Sequence, residues 1–319
     1  MSDSLQTTLP IPPDITPPTE VPEDHGLTRK GEAVRDEHQQ YRTYELDEDV
    51  RRIDYHYERP PEFFYLITGG EWNAYSCSLW QEGFTMTQAQ ERKFDLYAEM
   101  LELKPGMKIM DVGAGWGGPL VYLCQKYGCT GIGITTSPIQ ADAARARAKK
   151  HGVDVEMLVT HWENLPEIET VDAILTDEVI VHFHNLGGFF AKAHRLLRPG
   201  RMMVNKELHF ASTQYTKLDR VGEAIFRAYD FTGNYIPLWR ELQLLDENCF
   251  KLERIVDIPM SQYWQTMDEW LKNCFEHREQ LKALTSPEHY KEFRLYLKAA
   301  RVAFTSGQQQ LHMVAARKM

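Results

Sequence analysis

Residues 107–123, MKIMDVGAGWGGPLVYL, place four glycines between two apolar runs. The first run predicts a strand at 107–112, the glycines predict a turn at 113–118, and the second run predicts a helix to about residue 128. Strand and helix patterns continue to alternate on the C-terminal side of this stretch. Strands that alternate with helices of this length predict a doubly wound α/β fold with a mostly parallel sheet.

The other predicted elements complete a seven-stranded sheet. Further strands are predicted at 130–134, 154–158, 171–176, 201–206, 251–258 and 310–317. Further helices are predicted at 138–150, 185–197, 263–283 and 287–304.

Three segments flank or interrupt this alternation. Residues 1–24 contain six prolines, which block helices and sheet ladders, so we predict a disordered arm there. Residues 25–104 predict a helical cap, within which 85–103 begins with a Thr cap and shows helical apolar spacing. Residues 105–319 form the main domain. Its aromatic-rich insertion at about 207–240 predicts a cover above the carboxyl ends of the strands, where α/β sheets bind ligands.

The composition excludes several classes of protein. A net charge of −10 argues against a nucleic-acid surface, and no apolar run approaches the roughly 20 residues of a membrane span. The N-terminal residues lack the apolar core of a secretory signal. The five cysteines form no CxxC pair, which predicts reduced thiols and no zinc site. We therefore expect a cytoplasmic globular protein without a bound metal.

The glycine turn fits S-adenosylmethionine better than a dinucleotide. A nicotinamide site places an acid about 20 residues after the glycines to hold the ribose, but residues 131–140 read GIGITTSPIQ, without an acid. An acid instead precedes the turn, at Asp111. Its carboxylate would repel a pyrophosphate and attract the ammonium and sulfonium groups of S-adenosylmethionine. A dinucleotide enzyme, or glycines that serve only close packing, are the alternatives.

Six segments spread along the chain point to one family. They are HYERPPEFFYL (56–66), AYSCSLW (74–80), LKPGMKIMDVGAGWGG (103–118), GITTSPIQ (133–140), HWENL (161–165) and SQYWQTMDEW (261–270). From about residue 45 to the end, the chain resembles the cyclopropane fatty-acid and mycolic-acid cyclopropane synthases, which are S-adenosylmethionine-dependent methyltransferases. The resemblance implies a Rossmann-like class I methyltransferase fold. It also implies transfer of a methyl or methylene group to an electron-rich carbon of an apolar or lipid-like substrate.

Two other functions stay open at this point. Related N- and C-methyltransferases share many of these segments, so the chain is also compatible with methylation of a small specialised metabolite on the same scaffold. A cofactor-binding protein that has lost catalysis is the third hypothesis. A lipid substrate would require transient contact with a membrane, and a homo-oligomer is compatible with the sequence.

The resemblance also implies a set of site residues. The cofactor positions are Tyr75, Ser76, Gly113 and Gly115 at the methionine end, Thr135 and Gln140 at the ribose, and Trp162 and Glu163 at the adenine, and the charge argument adds Asp111. The catalytic positions are Cys77, Glu178, His182 and Tyr263.

One departure from the family concerns an anion site. Where the family reads EAFEHF, this chain reads EVIVHF at 178–183, so Val181 replaces a glutamate that helps the family hold a bicarbonate ion. In the family that ion acts as the base. Cys77 and Tyr263, which flank the ion in the family, are retained. The change argues against bicarbonate as a cofactor and leaves Glu178, His182, His184 or Tyr263 as the candidate base.

Overall fold

The computed structural model describes residues 59–166, 168–212 and 235–319, together with the helical residues Leu46, Val50 and Arg51. The predicted arm at 1–24 and the central part of the predicted cover, residues 213–234, lie outside the described residues.

The seven predicted strands form a single sheet in the order β3-β2-β1-β4-β5-β7-β6. The strands are β1 (Lys108–Val112), β2 (Thr130–Thr135), β3 (Val155–Val159), β4 (Val171–Asp177), β5 (Leu197–Phe210), β6 (Phe250–Ile258) and β7 (Gln309–Lys318). The first five strands pair in parallel, and β7 runs antiparallel to both of its neighbours. The predicted seven-stranded, mostly parallel fold is confirmed.

Helices cover both faces of this sheet. They are α1 (Pro61–Thr68), α2 (Met86–Met100), α3 (Gly118–Tyr127), α4 (Pro138–His151), α5 (Leu186–Leu196), α6 (Leu238–Glu247), α7 (Met260–Glu276), α8 (Arg278–Leu284) and α9 (Pro287–Ala303). The alternating side chains of the strands supply two cores. One core joins the sheet to α1, α2, α3, α7 and α9, and the other joins it to α5 and α6.

Glycine is required at two positions of the turn between β1 and α3. Gly113 has φ +82, and a Cβ there would lie 2.4 Å from the Val179 side chain. A Cβ on Gly118 would lie 2.1 Å from the carbonyl oxygen of Trp72. The first glycine lets the backbone turn beside β4, and the second lets α3 pack against the segment that follows α1. The turn therefore brings three parts of the chain together at the carboxyl edge of the sheet.

Three predicted boundaries differ from the structure. Residues 207–210, predicted to begin the cover, continue β5, whose end pairs with Pro237. The predicted cover, which ended at about residue 240, also overlaps the start of α6. In that prediction the aromatic content of the sequence outweighed the amphipathic spacing that follows Pro237. The single helix predicted at 263–283 is two helices, α7 and α8, which meet at His277.

Candidate active site

A cavity opens at the carboxyl ends of β1, β2 and β4. Its wall is formed by Asn73–Ser76, the turn after β1, Ile134–Thr136, Gln140, Thr160–Trp162, Asp177–Val179, His182 and Phe183. The carboxyl ends of neighbouring parallel strands are the usual ligand site of such sheets. The irregular segment between α1 and α2 supplies residues 73–76 and closes the cavity from the side.

Most of the residues predicted to bind the cofactor lie in this wall. They are Tyr75, Ser76, Asp111, Gly113, Gly115, Thr135, Gln140 and Trp162. Glu163 does not lie in the wall. Its backbone N–H donates to Nδ1 of His161 at 3.3 Å, and its carbonyl oxygen accepts from the Lys192 ammonium at 3.1 Å. The structure therefore gathers the predicted cofactor set, apart from Glu163, around one cavity.

Asp111 is a buried carboxyl group that forms no ion pair among the described residues. Its residue is only 2 % exposed, and no described residue donates a hydrogen bond to its side chain. Burial, reinforced by the charge of Asp177, raises the pKa of Asp111 to about 8, although the Lys93 ammonium opposes the shift. A positively charged ligand in the cavity would supply the missing counter-charge.

Two further features of the wall fit S-adenosylmethionine. The Thr135 hydroxyl donates to Oε1 of the Gln140 side chain at 2.6 Å, so β2 and α4 present a fixed polar pair to the cavity. The indole N–H of Trp162 is buried without a hydrogen-bond partner among the described residues, and the ring packs against Phe183 and Phe189. The site thus offers a carboxyl for the cationic end of the ligand, a polar pair and an aromatic wall.

Glu178 also lies in the cavity wall, and its carboxylate accepts three hydrogen bonds. Its Oε1 accepts from the backbone N–H of Cys77 at 2.9 Å and from the Lys206 ammonium, and its Oε2 accepts from the Tyr263 hydroxyl at 2.6 Å. Glu178 follows β4 directly and has φ +55, a left-handed conformation that is costly for a residue other than glycine. Its carboxylate is therefore fixed in place by donors from three different elements.

Asp177 and two buried lysines extend this arrangement. The Lys93 ammonium lies 2.9 Å from Oδ2 of Asp177 and the Lys206 ammonium 3.1 Å from Oδ1, and both lysine side chains are fully buried. The Ser76 hydroxyl also donates to Asp177, at 2.7 Å. Burial acts to raise the pKa of Asp177, but the charges of Lys206 and Lys93 outweigh it and hold that pKa well below its usual range.

Cys77 and Tyr263 lie behind Glu178 rather than in the cavity wall. Burial raises the pKa of the Cys77 thiol to about 12. Burial, followed by the charge of Glu178, raises the pKa of the Tyr263 hydroxyl well above its usual value. Both groups stay protonated near neutral pH, so Tyr263 is a hydrogen-bond donor and the Cys77 thiol is inert. His182 ends a short 3-10 turn (Ile180–His182) and does lie in the wall.

A carboxyl group from β5 lies beside Val181. Oε2 of Glu207 accepts from the Val181 backbone N–H at 3.1 Å, and Oε1 accepts from the Leu208 N–H at 2.9 Å. Burial, and then the charge of Glu178, raises the pKa of Glu207 well above its usual value. A protonatable acid is thus present next to the position that lost the family glutamate, but it comes from another strand.

Sequence reasoning missed Lys93, Lys206, Asp177 and Glu207. A signal existed for the first. Lys93 falls on the apolar face of α2 between Ala89 and Tyr97, whereas Lys206 stands between the polar residues Asn205 and Glu207 of β5. A charged residue at a buried position of a regular pattern indicates a buried partner.

The fold and the cavity define a class I methyltransferase that uses S-adenosylmethionine. The chain belongs to the mycolic acid cyclopropane synthetase family, whose sequence profile matches residues 44–314.

Individual relatives agree with this assignment. The chain is 28% identical over 286 residues to a probable fatty acid methyltransferase of Pseudomonas putida, covering 87% of this chain and 71% of that protein. The solved structure of the cyclopropane synthase MmaA2 from Mycobacterium tuberculosis is 25% identical, with a TM-score of 0.78, and the match covers 86% of this chain and 99% of MmaA2. The mycolic acid cyclopropane synthase CmaA1, solved with SAH and CTAB, gives the same identity and TM-score over 84% of this chain and 98% of CmaA1.

Proposed function

We propose that this enzyme transfers a methyl group to an electron-rich carbon of an apolar, lipid-like acceptor. The observation that carries the proposal is the set of aromatic rings in the cavity wall, Tyr75, Trp162 and Phe183. Behind the wall, Tyr75 stacks on Trp270 with ring centroids 5.0 Å apart. Aromatic faces both accommodate an apolar chain and stabilise positive charge, by about 0.5–2 kcal/mol for each contact. The fatty-acid methyltransferase among the relatives supports the same acceptor class.

In this reaction some residues of the cavity wall bind the cofactor and others meet the acceptor. When bound, S-adenosylmethionine supplies an electrophilic methyl group on a positively charged sulfur. Asp111 attracts the ammonium and sulfonium groups of the ligand, and Tyr75 and Ser76 close the cavity over them. Glu178 faces the acceptor, and Tyr263 lies behind it. Holding donor and acceptor aligned in a closed site supplies much of the rate of such a transfer.

A second candidate is methylation of a nitrogen or carbon of a small metabolite. Val181 favours it, because the family glutamate that helps to hold a base is missing at this position. Direct attack by a nitrogen lone pair forms no carbocation and needs no such base on the acceptor carbon. The same cavity and the same cofactor residues serve either reaction.

A labelling experiment separates the two candidates. The enzyme is incubated with S-adenosylmethionine carrying a ¹³C-methyl group and with vesicles of unsaturated phospholipid, an isoprenoid panel or an amine panel. We expect the label on carbon of a lipid or isoprenoid, as methyl or cyclopropane resonances in NMR spectra. Label on nitrogen supports the second candidate. Binding of the cofactor without transfer to any compound contradicts both and supports a protein that has lost catalysis.

The roles of the individual site residues stay predictions. So do three segments of the chain: the arm at 1–24, the helical cap at 25–104 and a cover within 207–240. The part of the chain that the structure describes contains no helix long and apolar enough to cross a membrane. We propose action in the cytoplasm with transient contact with a membrane, and a homo-oligomer stays a prediction.

A further inference from the structure

Both oxygens of the Glu178 carboxylate already accept hydrogen bonds. The Cys77 N–H and the Tyr263 hydroxyl reach opposite oxygens, at 2.9 and 2.6 Å, and the Lys206 ammonium contacts Oε1 as well. By the family resemblance, Cys77 and Tyr263 are also the residues that would flank a bound anion. An external anion therefore meets donors that are already occupied by a carboxylate of the chain itself.

The acids and the lysines around Glu178 lie on opposite sides of the cluster. Asp177 and Glu178 both lie in the cavity wall, whereas the side chains of Lys93 and Lys206 are fully buried behind them. The two acids and the two lysines balance in number, so the cluster needs no further ion. The cavity nonetheless faces the negative ends of both pairs, because the ammonium groups lie on the far side.

The backbone at Glu178 is consistent with a positioned side chain. The residue has φ +55 directly after β4, and its backbone N–H donates to the carbonyl oxygen of Lys206 at 2.7 Å. Lys206 thus binds Glu178 through both its backbone and its side chain. A left-handed conformation at a residue with a side chain persists only where its surroundings hold it, and such residues cluster at functional sites.

We propose that Glu178 is the built-in anion of this active site. Its carboxylate, held in place by the Lys206 ammonium, stabilises positive charge on the acceptor and takes the place of an exchangeable anion such as bicarbonate. Glu178 does not act as the general base, because its oxygens are engaged by an ammonium, a hydroxyl and an amide. Lys206 is a positioning residue that orients this carboxylate.

The proposal makes two statements that can be tested separately. The wild-type protein should bind neither bicarbonate nor formate in the cavity, and removing dissolved carbon dioxide should leave turnover unchanged. Replacing Glu178 by glycine should create a pocket for a small carboxylate, because the donors from Cys77, Tyr263 and Lys206 stay behind. Glycine also suits the left-handed backbone, so the substitution keeps the local conformation.

The experiment uses the full chain loaded with S-adenosylhomocysteine and sodium [¹³C]formate as the probe. Binding is followed by NMR and calorimetry for the wild type, for Glu178→Gly and for Glu178→Gln, which fills the same space without a charge. We expect formate to bind only to Glu178→Gly. Cys249→Gly is the matched control, since Cys249 also has positive φ, +59, but is exposed and distant from the cavity.

A turnover measurement on the identified acceptor completes the test and rests on the proposed function. Glu178→Gly should lose about 100-fold in turnover, as is typical when a group that stabilises developing charge is removed. Formate should raise the turnover of Glu178→Gly about tenfold and should leave the turnover of Glu178→Gln unchanged.

Two results would overturn the proposal. One is stimulation of the wild-type enzyme by bicarbonate, and the other is a folded Glu178→Gly protein that binds no formate. The binding measurements need no acceptor, so they stand even if the proposed acceptor class is wrong. If Glu178→Gly does not fold, the response of wild-type turnover to bicarbonate tests the proposal. Stimulation overturns it, and unchanged turnover supports it.

Discussion

Two acids of the cavity wall differ in how their charge is balanced. Asp111, on β1, has no cation bonded to it among the described residues, and its pKa rises to about 8. Asp177, on the neighbouring strand β4, has a side chain that is only 8 % exposed, yet the two lysines hold its pKa well below the usual range. Low exposure therefore accompanies a largely protonated acid at Asp111 and an ionised acid at Asp177.

The difference separates the two kinds of charge that a methyltransferase handles. Under the proposed function, the ligand brings a cation to Asp111, so binding offsets part of the cost of burying this acid. At Asp177 and Glu178 the chain itself supplies the cations, Lys93 and Lys206. The same proposal assigns the charge at Asp111 to binding and the charge at Asp177 and Glu178 to the reaction.

Removing the charge of Asp177 should have the largest effect. Asp177→Asn leaves Lys93 and Lys206 with Glu178 as their remaining acidic neighbour in the cluster, and breaking a buried ion pair costs about 3–5 kcal/mol of unfolding free energy. Urea unfolding measures the loss. Asp268→Asn is the control, because Asp268 is exposed and its pair with Arg301 should contribute at most about 1 kcal/mol. Equal losses in both variants would contradict the description of the lysine cluster.

Asp111→Asn should act on binding rather than on folding. The affinity for S-adenosylhomocysteine should fall about 100-fold, because loss of a buried charge partner typically costs about 2–5 kcal/mol of binding energy. Calorimetry measures the affinity. Asp172→Asn is the matched control, since that buried acid is bound by Arg198 at the opposite end of β4 and should change stability but not affinity. Unchanged affinity in Asp111→Asn would contradict the assignment of Asp111 to the cofactor.

The pH dependence of cofactor binding should follow Asp111. With a pKa of about 8 the group is mostly protonated at pH 7, whereas a cationic ligand requires the carboxylate. Binding must therefore release a proton, so affinity should rise about tenfold per pH unit below about pH 8 and level off above it. Calorimetry in buffers of different ionisation enthalpy counts the protons. The slope should vanish in Asp111→Asn, and a slope that persists there would assign the effect to another group.

Cys77→Ala should have the smallest effect. The thiol is fully buried, its pKa is raised to about 12, and the contact with Glu178 is made by the backbone N–H rather than by the side chain. Turnover should stay within about threefold of the wild type, because a protonated, buried thiol is inert. Steady-state kinetics measure the change. A loss near that of Glu178→Gly would show that the sulfur itself takes part.

Most residues that the sequence assigned to the cofactor line one cavity, because they belong to local motifs. The strand, the glycine turn and the following helix are consecutive, and Thr135 and Gln140 lie close together in the next strand–helix unit. In such units the ends of parallel strands meet at one edge of the sheet, so the residues come together once the fold is right. Glu163 is the exception, because the turn after Trp162 carries it away from the cavity wall.

The acceptor end could not be predicted in the same way. Glu178, Cys77, Tyr263 and Lys206 are brought together from four distant parts of the chain, and their contacts depend on the packing of α7 and β5 against the segment after α1. The replacement at Val181 was visible in the sequence. That Glu178 would occupy the donors of Cys77 and Tyr263 was not, because it depends on a left-handed backbone and on a lysine buried in β5.

The position of β7 has a consequence for how the molecule is made. This strand fills the space between β5 and β6, so residues 309–318 join two strands that otherwise have no neighbour on those edges. During synthesis β5 leaves the ribosome about 100 residues before β7, with Lys206 and Glu207 already in it. One edge of β5 therefore stays unpaired until the last strand has been made, whereas its other edge pairs with β4 and brings Lys206 beside Asp177.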